Sequence, residues 1–167
     1  MNAVKLIRYT HTARRVYQKK MEKLPWQEIV KDRGASFPSI RDIFLHALDV
    51  EDNKINYAIR GKSHERVPIS YDEITDFASM KKRVKMVEEQ VEAYLERITH
   101  QELDRRVLMP RKRSADLVMR IEDILVHVVL EVATHMGELI ALLWQIDVEL
   151  PFLSWGSFLD ELGQLSS

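Results

Sequence analysis

The chain has 167 residues, enough for one domain with a single sizeable core. Lys and Arg number 25 against 26 Asp and Glu, so no whole-molecule field draws in nucleic acid or an anionic membrane. There is no cysteine, which excludes disulfides, catalytic thiolates and thiolate metal sites and leaves His and carboxylate as metal donors.

The first stretch, MNAVKLIRYTHTARR, has no apolar core of signal-peptide length. No run approaches the roughly 20 apolar residues that span a bilayer, so a soluble cytoplasmic domain without membrane partners is expected. Up to about Leu24, the residues Val4, Ile7, Ala13, Val16 and Met21 fall at loose helical spacing. Pro25 interrupts, and WQEIV adds one short turn.

A second helix is expected from Ser39 to Arg60. Ser39 with Asp42 fits a capping box, and Gly61 suits the stop. Ile40, Ile43, Phe44, Ala47, Val50, Ile55 and Ala58 form its apolar arc. A third helix, Tyr71 to His100, follows from Phe77, Met80, Val84, Val87, Val91, Tyr94 and Ile98, a seam of alternating steps of three and four. The run VLMPRKRSADLVM reads as two short extended pieces around a basic turn, with Arg111, Lys112 and Arg113 solvated. No aromatic stacking platform accompanies that turn, and no nucleic-acid partner is expected. The last long helix runs from about Met119 to Asp147, before Pro151. The tail LPFLSWGSFLDELGQ is apolar enough to pack back on the body.

Four long helices in residues 1–167 predict an all-α, single-domain bundle. The connection after Gly61 covers about ten residues, roughly 33 Å extended, which permits a crossover with the second and third helices parallel.

The last helix carries the chemistry. Glu131 and His135 are four residues apart in HVVLEVATHMGELIALLW and leave the same face. On a helical wheel His135 falls at about −40° inside the apolar arc and Glu131 at about −80° at its edge. A covered carboxylate needs a neutralising partner, either a cation side chain or a divalent metal. His46, at an edge of the second helix, is a candidate third ligand. Glu51 falls in that helix's apolar arc; it pairs with Lys54 or a neighbouring Arg, or serves the site as a weak catalytic candidate that fixes a ligand His or binds water. His127 is a second weak catalytic candidate, near the site without ligating. His11, His64 and His100 look incidental, and Gly137 is read as close helix packing beside the site.

SIRDIFLH resembles the S-[IV]-[RK]-[ED]-I-[FL]-x-H pattern of the DinB/YfiT-like superfamily. HVVLEVATHMGEL resembles its last-helix pattern H-V-x-x-H-x-x-x-H-x-G-[QE]-[IL], with His127, His135 and Gly137 kept. The helix from Tyr71, LPWQEI and IDVELPFLSW fit the same order, so the likeness runs from about Met21 to Leu162. The resemblance implies a four-helix bundle of DinB type, up-down-down-up, with a short C-terminal segment packed on it. It also implies a divalent metal, zinc or nickel foremost, held by three His. Here His46 and His135 stand at the first and third positions, and Glu131 replaces the second His. A two-His-one-carboxylate set would also suit iron or manganese.

The implied function is a divalent-metal-dependent enzyme acting on a small-molecule substrate, a transferase or isomerase using a low-molecular-weight thiol. The alternatives are a hydrolytic or non-haem-iron-like enzyme, and a stress-related scaffold bundle with a vestigial site. A homodimer is implied by family habit.

Overall fold

The computed structural model describes residues 3–109, 115–151 and 153–164. It is mostly helical, with one two-stranded sheet. Helix α1 spans Ala3–Met21, and Pro25 opens the one-turn helix α2, Trp26–Val30. Helix α3 spans Ile40–Glu51. Ser39 caps it, its hydroxyl accepting from the Asp42 amide at 3.2 Å. The reciprocal half of the expected capping box is not made, because Asp42 turns its carboxylate to Arg41 Nε at 2.8 Å.

Beyond Glu51 the helix widens into π geometry over Asp52–Ala58. Buried polar side chains anchor that stretch. Asn56 Nδ2 donates to Asp52 Oδ1 at 2.8 Å, and Arg83 Nη2 reaches Asp52 Oδ2 at 2.9 Å. Gly61, at φ 70°, ends the run in the left-handed region, where a glycine costs least.

Helix α4 is shorter than its apolar seam suggests: Phe77–Leu95 rather than Tyr71 to His100. Asp76 and Ser79 form a capping box that fixes its start, and Tyr71–Glu73 become a separate 3-10 turn. At the other end the chain turns, and Thr99 caps a new short helix α5, His100–Asp104. Met80, Val84, Val87 and Val91 are buried as the seam requires.

Strands β1 (Arg106–Met109) and β2 (Leu117–Arg120) pair antiparallel, Arg106 opposite Arg120 and Met109 opposite Leu117. They are the extended pieces expected on either side of the basic turn; Arg111, Lys112 and Arg113 lie outside the described residues.

Helix α6, Ile121–Trp144, is the central helix and packs against both α1 and α3. Along it Ile121, Ile124, Leu125, Val128, Val132, Leu139, Leu142 and Leu143 are buried. Contrary to the sequence reading, α6 is long and apolar enough, by length and composition, to cross a membrane. A core helix covered on two sides has the same composition. Helix α7, Trp155–Gln164, brings the tail back to α1, where Phe158 and Trp155 meet the ring of Tyr9 edge-on.

Candidate functional site

Helices α3 and α6 lie side by side and bring His46 and His135 together. The ring centroids are 4.6 Å apart and the planes nearly perpendicular. Phe37 stacks on His46 at 4.2 Å and meets His135 edge-on, closing one side of the pair. Tyr71 places its hydroxyl 3.5 Å from His46 Nδ1. Burial, then the nearby Asp49 and Asp42 carboxylates, push the Tyr71 phenol up to about 12, so it stays protonated at neutral pH. Burial and the neighbouring His135 lower His46, against Asp49, Glu131 and Glu138. The imidazole is thereby kept neutral, the form that ligates metals.

Glu131 joins from one turn earlier on α6, with Oε2 3.9 Å from His135 Nε2. Its side chain is 43% exposed, against 14% for His135. The expected covering of this carboxylate is therefore incomplete, in keeping with its place at the edge of the apolar arc. Among the described residues no Lys or Arg makes an ion pair with Glu131, although Lys54 lies close enough to feel its charge. Glu138, which sequence reasoning did not single out, bonds the other nitrogen: Oε2 lies 3.4 Å from His135 Nδ1, while Oε1 accepts from the Ser36 amide at 3.2 Å. The two ring nitrogens of His135 thus face two different carboxylates. Even so, no group of three His, Asp or Glu among the described residues stands in metal-holding geometry.

The other two candidates lie elsewhere. His127 is two turns before His135, roughly 12 Å along the axis, and has no hydrogen bond or ion pair among the described residues. Glu51 is fully buried on another face of α3. Its Oε1 is 2.6 Å from His11 Nε2, and its Oε2 binds the Arg14 guanidinium. Arg14 continues to Glu88 at 2.9 Å, and Arg15 closes on the same carboxylate. This ladder ties α1, α3 and α4 together away from the histidine pair. Burial alone would raise the Glu51 carboxyl, but Arg14 and His11 outweigh it and hold it at about 2.

His11, incidental to the histidine pair, thus has a structural role that the sequence reading did not assign. Its signal was present: Ile7, His11, Arg14, Gln18 and Met21 step by four and three, and all are buried. Polar residues occupying a core seam hid it from a search for apolar periodicity.

Gly137 does not serve close packing. A Cβ there would meet no atom within 4 Å. It borders an apolar cleft of about 420 Å³ between α1, α6 and the residues Leu150, Pro151 and Leu153, on the side of α6 away from His135.

A search of curated proteins finds no match to the chain. The model of the DinB family matches residues 1–160, nearly the whole chain, and the helices that carry His46 and His135 both fall inside that match. The chain belongs to the DinB family.

Proposed function

We propose that this DinB-family protein is a divalent-metal-dependent enzyme acting on a small-molecule substrate, with His46, Glu131 and His135 as the metal-holding residues. The observation that carries this reading is the meeting of His46 and His135 at 4.6 Å across two helices, in a half-covered site edged by carboxylates. The donor set suits zinc or nickel, and also iron or manganese, in its chemistry: two imidazoles and one carboxylate. Its geometry requires Glu131 to swing inward, which a 43% exposed side chain on a helix edge is free to do. The four long helices are read as the up-down-down-up bundle of the family.

A bound divalent ion would supply Lewis acidity, lowering the pKa of a thiol or water and stabilising the resulting anion. The residues of this chain do the rest. Phe37 limits water on one side of the pair. The Tyr71 phenol holds His46 in orientation. A shallow depression of about 360 Å³, bordered by Phe37, Arg41, Ile69 and Tyr71, offers a substrate a place beside the site. With no cysteine in the chain, a thiol for a transferase or isomerase reaction must come from a small molecule.

The exposure of Glu131 favours one other reading, a bundle whose metal site is vestigial. Metal content separates the two. Untagged protein, reconstituted in turn with zinc, nickel, manganese and iron and measured by mass spectrometry, should hold about one ion per chain. His46→Ala and Glu131→Ala should each lose it. No bound ion under any of the four conditions would refute the enzyme reading.

A further inference from the structure

The cleft between α1, α6 and the residues Leu150, Pro151 and Leu153 has a different chemistry from the histidine pair. Ala13, Val132, Met136, Ile140 and Leu150 line it, and among the described residues no Asp, Glu, Lys, Arg or His does. Its volume of about 420 Å³ falls in the range of small-molecule sites, about 300–1,000 Å³. On α6 its residues point roughly opposite to Glu131, His135 and Glu138, so an occupant would not touch them.

Four hydrogen-bonding side chains border it among the described residues: Trp144 at the exposed rim, and Tyr9, Thr10 and Tyr17 further in, of which Tyr9 and Thr10 are already satisfied. The Tyr9 hydroxyl donates to the Leu153 carbonyl at 2.8 Å. The Thr10 hydroxyl donates to the Ile7 carbonyl at 2.7 Å. Tyr17 is only 7% exposed, yet its hydroxyl has no hydrogen-bond partner among the described residues. The hydroxyl is not sealed in the core and stays open to an acceptor in the cleft. Burial and the neighbouring Tyr9 raise the Tyr17 phenol, so it is a donor at neutral pH. Gly137 adds an independent sign. A glycine inside a long helix weakens that helix, and here no close approach of another element requires one. What its missing side chain leaves open is the wall of this cleft.

We propose that this cleft is a binding site for a small, uncharged, largely apolar molecule that carries one hydrogen-bond acceptor, received by the Tyr17 hydroxyl. The uncharged lining disfavours ionic ligands, and the Tyr17 hydroxyl, the free donor deepest in the cleft, offers a bond to one acceptor.

Acetophenone and ethylbenzene serve as matched probes, because they share ring and chain length and only the ketone accepts a hydrogen bond. Each is titrated into ¹⁵N-labelled protein and followed by amide chemical shifts. Saturable shifts centred on Ala13, Tyr17, Met136 and Gly137 are expected with both. Tyr17→Phe should weaken acetophenone about 3- to 10-fold and leave ethylbenzene unchanged, the fold-change of one neutral hydrogen bond. Gly137→Leu should abolish binding of both while the thermal midpoint holds or rises, since leucine is the better helix former. The proposal is overturned by any one of three results: no saturable shift with either probe at low millimolar concentration, an equal effect of Tyr17→Phe on both, or undiminished binding to folded Gly137→Leu.

Discussion

At the scale of single residues, Glu138 is the most informative side chain that sequence reasoning passed over. It is fixed by the Ser36 amide and faces Nδ1 of His135, leaving Nε2 toward Glu131. In metal sites a ligating imidazole usually donates its other N–H to such a carboxylate. Under the proposed function, Glu138→Gln should therefore weaken zinc affinity about 10- to 100-fold without abolishing it. Competition against a chelator of known affinity measures this. Wild-type protein that binds zinc, with a variant that binds equally well, would remove Glu138 from the site. His46 and His135 were legible in the sequence because their motifs fix their faces. Glu138 was not, because a polar residue on a helix edge has many ordinary partners.

At the scale of elements, the apolar patterns located the long helices, and local capping chemistry set their ends. Apolar spacing carried α4 from Tyr71 to His100, yet Asp76 with Ser79 starts it six residues later and Thr99 starts a new helix after its close. Hydrophobic spacing persists through turns that pack on the same core, as Ile98 does, so it overestimates helix length. The π stretch after Glu51 was hidden within the expected helix, because Ile55 and Ala58 continue its apolar arc while polar Asp52 and Asn56 anchor the wider turns. Ser39 is the clearest test of a cap. Ser39→Ala removes the acceptor for the Asp42 amide, where such losses typically cost about 1 kcal/mol. Denaturant midpoints should fall accordingly at unchanged m; an unaltered midpoint would mean that another group satisfies that amide.

At the scale of the whole molecule, the ladder from His11 through Glu51, Arg14 and Glu88 holds three helices by buried charge. Such a device is sensitive to acid. An unfolded glutamate titrates near about 4.3, whereas Glu51 in the fold titrates at about 2. Its contribution is whole above the unfolded value and is lost as pH falls through the folded one. Stability should therefore decline between roughly pH 4.5 and 2, as read from urea midpoints along that range. Glu51→Gln should flatten this decline and cost about 3–5 kcal/mol at neutral pH, because Arg14 is left partly uncompensated. A decline equally steep in the variant would assign the acid sensitivity to other carboxylates.

The bond between Tyr9 and the Leu153 carbonyl closes a loop of 144 residues. Contacts of such long range are slow to form, because the entropy of closing the loop is spent before the contact returns anything. The residues around Leu153 are therefore expected to dock late on α1. During synthesis the cleft cannot form before Leu153 has been made, and until then its apolar walls on α1 and α6 face the surroundings of the growing chain.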